Sequence, residues 1–339
     1  MKYNSKFVPK NKDRTGEILL DTSKSGKKRD WKRYKEQSLA VSAAYFPLQE
    51  LMKYGEKLFS CGSYLHFKTC PHGHIKKLVE AYFCRARGCP MCQWRKSLVM
   101  FHQVLELIHA HKAKYKSDIP LLLTLTVPNV SSAELKLMLD KMQKSWKKLS
   151  ERKKFSKAIR SWFRSLEVTY NEKSDTFHPH FHVLLLVPKD YFERSCNLYI
   201  ERNDWLFMWQ EVTGISEITQ VDIRRVRKKS SRKPLEAIAA EVAKYATKPS
   251  SYIKESPEGL FEASGSVVET LHYALKGRRL VAFGGLFNEL RKALKQVDVE
   301  EADLVQITDE EKPCLCSICQ SGLVDELYRW YAGIRQYVG

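Results

Sequence analysis

His178, His180 and His182 alternate with other residues in the segment FHPHFHVLLL, which runs from Phe177 to Leu186. A period of two is the mark of a β-strand, because successive strand side chains point to opposite faces. Alternation therefore puts the three imidazoles on one face. Phe181, Val183 and Leu185 take the other and can enter a core. Two imidazoles from one strand, His180 and His182, form a ready pair of nitrogen ligands for a divalent cation. A strand making three polar contacts without a metal is the plainer alternative.

A second segment, PLEAIAAEVAKYAT (Pro234 to Thr247), opens on proline, a favoured first helical residue, and is rich in good helix formers. Glu241, Tyr245 and Lys248 stand at i, i+4 and i+7 and so share one helical face. A carboxylate one turn before a tyrosine and a lysine one turn after suit a tyrosine nucleophile. The lysine can stabilise a phenolate or the phosphate it attacks, and the carboxylate can manage a proton or a water. An ordinary edge between surface and core uses the same residue types. The helix gains chemical meaning only beside the histidine strand. Tyr252 is the rival nucleophile, but Pro249 argues against one helix carrying both tyrosines.

Nine cysteines, five of them between Cys61 and Cys92, point to metal or reduced thiols in preference to disulfides in a cytoplasmic protein. Cys89-Pro90-Met91-Cys92 is a CxxC knuckle whose thiolates can grip one tetrahedral zinc. Cys61, Cys70, Cys84, Cys89 and Cys92, with His72 and His74, make seven candidates for four places. Buried, unligated thiols are the alternative. Cys314, Cys316 and Cys319 form a second knuckle-like run whose fourth partner and role stay open.

In order, FCRARGCPMCQWRKS (Phe83 to Ser97), LLLTLTVPN (Leu121 to Asn129), HPHFHVLLLVP and EVAKYATK resemble the histidine–hydrophobic–histidine (HUH) endonucleases. More closely, they resemble rolling-circle replication initiators of small plasmids from Gram-positive bacteria. ALKGRRLVAFGGLF (Ala274 to Phe287) resembles the segment closing the nuclease domain of that family, so the likeness spans roughly residues 40–290. It implies a metal-dependent single-strand DNA nickase and strand transferase. In it Tyr245 forms a 5′-phosphotyrosine, Glu241 activates water at termination and Lys248 assists. It implies Mg²⁺ or Mn²⁺ at His180 and His182, with Glu167 as the acidic third ligand and His178 as its competitor. It also implies zinc at Cys61, Cys84, Cys89 and Cys92, with Cys70, His72 and His74 in reserve. The partners implied are plasmid origin DNA, double-stranded and single-stranded at the nick, and a host replicative or repair helicase. A homodimer is left open. Other readings are a transposase or relaxase of the same chemistry, or a non-enzymatic zinc-dependent DNA-binding regulator.

Charge agrees independently. A formal net charge of +19 and a pI near 9.4 are the electrostatic footprint of a phosphate binder. Seven basic residues crowd RRVRKKSSRK (Arg224 to Lys233), which makes Arg224, Arg225, Arg227, Lys228 and Lys229, with Lys244, the expected DNA contacts. Lys144 to Arg160 is basic too, with Trp146 and Phe155 interleaved. Asp298 to Glu311 carries seven acids and is expected to face away from DNA, or to act as a tether or regulatory segment.

These elements must be positioned by a core. The pattern predicts helices near Ala40–Phe59, Gln93–Tyr115, Ser131–Ser150 and Asp204–Val212, the tyrosine helix, and more after Val267. It predicts strands at Pro120–Val127, Leu166–Tyr170, Phe177–Val187 and Ile218–Val226. The middle two are joined by the polar loop NEKSDT as a hairpin, so Glu167 can project beside the histidines. The expected class is α+β: an antiparallel sheet carrying the histidines, covered by helices, with an inserted or N-terminal zinc module. The expected units are a flexible basic arm (1–39), a helix with the cysteine module (40–97), a nuclease domain (98–296), and an acidic linker with a cysteine-containing tail (297–339). No stretch approaches a membrane span, and the basic, polar N-terminus has no apolar leader core, so a cytoplasmic protein is expected.

Overall fold

The computed structural model describes residues 16–23, 26, 28–226, 234–245, 252–307 and 315–339. The chain begins with α1 (Trp31–Tyr45) and α2 (Met52–Ser60), then β1 (Tyr64–Thr69), β2 (Lys76–Ala81), α3 (Pro90–Lys114) and β3 (Ile119–Thr126). Next come α4 (Ser132–Ser150), α5 (Lys153–Ala158), β4 (Ser161–Asn171), β5 (Thr176–Val187), α6 (Arg202–Thr213), β6 (Val221–Arg225) and α7 (Pro234–Tyr245). Then follow β7 (Ile253–Glu255), β8 (Phe261–Ala263), α8 (Gly265–Leu275), β9 (Val281–Gly285), α9 (Leu286–Ala293), β10 (Val324–Tyr331) and β11 (Gln336–Val338).

The class is α+β with antiparallel sheets. A five-stranded sheet in the order β6-β3-β5-β4-β9 has the histidine strand β5 at its centre. Both faces of β5 are buried, because its apolar run continues past the histidines. Phe181, Val183, Leu185 and Val187 pack on Leu139, Met142 and Trp146 of α4 and Trp205 and Trp209 of α6. On the histidine side, Leu184 and Leu186 join Phe163 of β4, Val104, Leu107 and Ile108 of α3, and Ile238, Ala239, Val242 and Ala243 of α7. Each aliphatic side chain so buried contributes about 1.5–3 kcal/mol. The alanine-rich stripe of α7 is what lets that helix sit close to the sheet, on the face that carries the imidazoles.

Local chemistry explains several boundaries. Glu134 reaches back to the backbone N–H of Ser131 at 3.0 Å, closing a capping box at the start of α4. The β4–β5 turn is held by Asn171, whose Oδ1 accepts from the Lys173 amide, and by Tyr170, whose hydroxyl donates to Asp175 at 2.8 Å. Gly284 and Gly285 end β9 where side chains have no room. A Cβ at Gly284 would lie 2.0 Å from the Trp162 ring, and one at Gly285, where φ is +60°, 2.2 Å from the Arg160 carbonyl.

Three expectations need correction. The helix expected over 40–59 is two helices, and α1 starts at Trp31, where Asp30 accepts the Arg33 amide. Residues 31–39 of the arm expected to be flexible are therefore helical, and within the arm Ile18 pairs with Val338. The tail expected beyond 297 is part of the cysteine module: a second sheet has the order β11-β10-β1-β2, with β10 antiparallel to β1 from Tyr64↔Arg329 to Thr69↔Val324. The acidic stretch is no free tether over its described part. Val299, Ala302 and Leu304 are buried, Glu300 pairs with Lys96 at 2.5 Å, and Arg85 and Arg95 donate to the carbonyls of Ala302 and Leu304 at 2.8 Å. Of its acids, Glu300 meets the basic side chains Arg87 and Lys96 of the cysteine block; residues 308–311 lie outside the described part.

Candidate functional site: a His–His–Glu trio and two thiol clusters

Strand register builds the trio. Glu167 on β4 lies opposite His180 on β5, and Ser165 opposite His182. Glu167 Oε2 stands 2.9 Å from His180 Nε2 and 2.8 Å from His182 Nε2. His180 Nδ1 lies 3.1 Å from the His178 carbonyl. A carbonyl only accepts, so Nδ1 carries the proton and Nε2 turns its lone pair toward the carboxylate. A lone pair facing an anionic oxygen at that distance is unfavourable until a cation or a proton joins them. Octahedral Mg²⁺, with ligands at about 2.1 Å, separates neighbouring donors by about 3 Å. The donor chemistry and the spacing therefore fit a divalent ion. Glu167 and His180 are 4% and 8% exposed, so the carboxylate would be a costly buried charge without a cationic partner.

His178 is not in this group of converging donors. Its ring lies 5.3 Å from that of His180, and burial, then the neighbouring imidazole, holds its pKa below the ordinary histidine value.

On the same face, Thr124 of β3 pairs with both His182 and Asp222 of β6. Thr124 Oγ1 is 3.4 Å from His182 Nδ1. Two residues along β6, Arg224 places Nη2 3.9 Å from Glu241 Oε1 of α7 and Nε 3.7 Å from Asp222. Arg224, expected among the DNA contacts, thus also links the glutamate of the tyrosine helix to the sheet. Arg225 is exposed. The side chains of Lys244 and Tyr245 lie outside the described part, as do Arg227, Lys228, Lys229 and Lys248.

A cleft of about 410 Å³ opens beside Glu167. Tyr45, Tyr54, Tyr252 and His272 line its aromatic side, and Lys57, Arg85 and Lys276 bring positive charge. His272 packs edge-on against Tyr54 with ring centres 4.5 Å apart, and Tyr45 hydrogen-bonds its Nδ1 at 3.2 Å. Burial, then Lys276, keeps His272 below its ordinary pKa, and burial, then Tyr45, pushes the Tyr252 phenol up. The cleft was missed in the sequence because part of its wall comes from α1, α2 and α8, which tertiary packing brings beside the cysteine block and Glu167.

Cys61, Cys84, Cys89 and Cys92 converge, with all four sulfurs within 4.8 Å of one another. Cys61 and Cys84 lie 3.5 and 3.7 Å from Cys92. Cys61 follows α2, Cys84 follows β2, and the knuckle opens α3 with Cys89 as cap and Pro90 in the first turn. Backbone amides of Cys84 and Arg85 point at Cys61 and Cys92 at 3.4 and 3.2 Å, which stabilises thiolates. The chemistry of four thiols at these distances fits tetrahedral zinc. Lys35 anchors the same corner, donating to the carbonyls of Phe59 and Cys61 at 2.6 and 2.8 Å; burial brings its pKa down to about 8. Cys70 and His74 stand apart from this quartet, with Cys316 and Cys319.

Fold and site together define an antiparallel α+β protein with clustered thiols and a carboxylate–imidazole trio on its main sheet. The family model described as "Replication protein" matches residues 75–338, and the chain belongs to that family. It is 33% identical over 340 residues to "Protein rep" of Bacillus amyloliquefaciens, covering 95% of this chain and 97% of the relative. It is 34% identical to "Protein rep" of Streptococcus pneumoniae over 86% of this chain and 88% of that one. With "Protein rep" of Lactiplantibacillus plantarum the identity is 35%, over 87% and 91%. No solved structure matches. Among the described residues no helix is long and apolar enough to cross a membrane.

Proposed function

We propose that this protein initiates rolling-circle replication of a plasmid by nicking one strand of the origin, with the chemistry of the HUH endonucleases. The observation that carries the proposal is the convergence of Glu167, His180 and His182 on the sheet face against which α7 packs. A Mg²⁺ or Mn²⁺ ion held by these three supplies positive charge to the scissile phosphate. Tyr245, one turn beyond Glu241, attacks phosphorus. The P–O3′ bond breaks, leaving a 5′-phosphotyrosine and a free 3′-hydroxyl that primes synthesis. Because the ester keeps the phosphodiester energy, the reverse step rejoins the strand. Lys248 stabilises the phenolate or the phosphate, and Lys244 holds the backbone. Glu241 serves as general base for water at termination, and its ion pair with Arg224 orients the carboxylate for that task. The basic, tyrosine-lined cleft beside Glu167 suits an unpaired strand, whose phosphates seek cations and whose bases stack on aromatic rings. Origin DNA is the partner, and a host helicase is needed once the 3′-end is exposed.

The test is purified protein with Mn²⁺ and supercoiled origin plasmid, followed by mass spectrometry of the denatured protein–oligonucleotide adduct. Tyr245→Phe is expected to abolish adduct and nicking, while Tyr252→Phe keeps both. An adduct surviving in Tyr245→Phe and lost in Tyr252→Phe would transfer the nucleophile to Tyr252.

A further inference from the structure

We propose that Cys70, His74, Cys316 and Cys319 bind a second zinc ion, which clamps the C-terminal chain onto the β1–β2 hairpin. The four ligand atoms all lie within 4.8 Å of one another. Cys70 Sγ is 3.5 Å from Cys319 Sγ and 3.6 Å from His74 Nδ1, and Cys316 Sγ is 3.7 Å from the same nitrogen. Zinc with Zn–S bonds of about 2.3 Å sets tetrahedral ligand separations of about 3.8 Å, close to these values. A disulfide needs sulfurs at about 2.05 Å, so the group is spaced for an ion.

Each pair of ligands sits on a turn that presents it. In Cys70-Pro71-His72-Gly73-His74 the Gly73 amide donates to the Cys70 carbonyl at 2.8 Å, and Gly73 has φ +75°, a conformation that favours glycine. In Cys316-Ser317-Ile318-Cys319 the Ile318 amide points at the Cys316 sulfur at 3.4 Å, and the Gln320 amide donates to the Cys316 carbonyl at 2.8 Å. An amide aimed at sulfur stabilises the thiolate form that binds metal. Cys70 and Cys316 are buried, while His74 is exposed and offers an entry path.

The site is separate from the first quartet. Cys61 precedes β1 and Cys70 follows it, and six strand residues at about 3.3 Å each set the two groups roughly 20 Å apart. Its place explains its work. Thr69, next to Cys70, pairs with Val324, a few residues after Cys319, so an ion there closes the open end of the β1–β10 ladder. The C-terminal chain is also held to the hairpin by that ladder, by Lys76–Glu326 and His66–Asp325 at 2.8 Å, and by burial of Tyr328 and Tyr337. The ion thus joins segments nearly 250 residues apart, a closure with a high chain-entropy cost.

Zinc content of full-length protein, measured by plasma mass spectrometry after dialysis, tests this. Wild type is expected to hold two ions per chain and the pair Cys316→Ser/Cys319→Ser one, with faster proteolysis of residues 315–339. His74→Cys is expected to keep two, while its cobalt-substituted form gains sulfur-to-metal absorption; this variant covers the case where the serine pair fails to fold. Cys314→Ser is expected to keep two as well. One ion in wild type, two in a folded serine pair, or one in Cys314→Ser would each overturn the assignment. The outcome is independent of nicking: a failed Tyr245 test leaves it standing, and the reverse.

Discussion

Glu167 and Arg164 lie three residues apart on β4, point to opposite faces and are both buried, yet their burial has different consequences. Glu167 meets two imidazoles. Glu167→Gln keeps the shape but removes the anionic donor, so Mn²⁺-dependent nicking is expected to fall by at least about 10-fold with melting temperature little changed. His178→Ala is expected to keep activity, since its donors do not converge with the other three; a comparable loss there would bring His178 into the ligand set. Arg164, 1% exposed, lies with its guanidinium 4.2 Å from the Phe181 ring centre, and its Nε and Nη1 have no hydrogen-bond partner. Burial brings its pKa down to about 9. Replacing this buried cation by an apolar chain of similar length removes its desolvation penalty in exchange for the ring contact. Arg164→Met is expected to be neutral or stabilising, by up to about 4 kcal/mol in urea denaturation.

At the scale of elements, one histidine ties the end of α3 to the sheet. His111 Nδ1 is 2.9 Å from Ser161 Oγ of β4, and Nε2 is 2.9 Å from Asp118, which Arg160 also pairs at 3.0 Å. Burial lowers the His111 pKa below 6.5; Asp118 opposes this, while Lys112 and Arg160 add to it. The folded state therefore favours the neutral ring. Its contribution is full above the ordinary value of 6.5 and is lost as pH falls through the lower folded value. Stability of wild type is expected to fall between pH 7.5 and 5.5 more steeply than that of His111→Gln, as read by chemical denaturation at each pH. Equal slopes would rule the effect out. Many elements were legible in consecutive residues: the capping box of α4, the alternation of β3 and β5, the proline-led α7. The strands β1, β2, β10 and β11 were not, since the ladder that joins β1 to β10 pairs segments distant in sequence.

At the scale of the molecule, excess charge must meet phosphate. A net charge of +19 is large for 339 residues, and of the acids in 298–303 Glu300 is turned to Lys96. Binding of a single-stranded oligonucleotide is expected to weaken with salt along a straight log–log line, with about 0.7 of slope per phosphate contacted. Replacing Arg227, Lys228 and Lys229 by alanine is expected to reduce that slope by roughly 2, in fluorescence anisotropy across a salt series. An unchanged slope would show that this run does not touch the strand.

The amino-acid sequence determined by itself whatever depends on neighbours along the chain: which face of β5 holds the histidines, that Glu167 lies on the adjoining hairpin strand, and that Glu241 and Tyr245 are one helical turn apart. Period and turn chemistry are properties of consecutive residues. Only the tertiary structure decided that α7 covers the imidazole face, that Arg224 reaches Glu241, and that Cys70 and His74 leave the first cysteine quartet for Cys316 and Cys319. These are meetings of distant segments, set by strand register and the packing of two cores, and no local pattern encodes them.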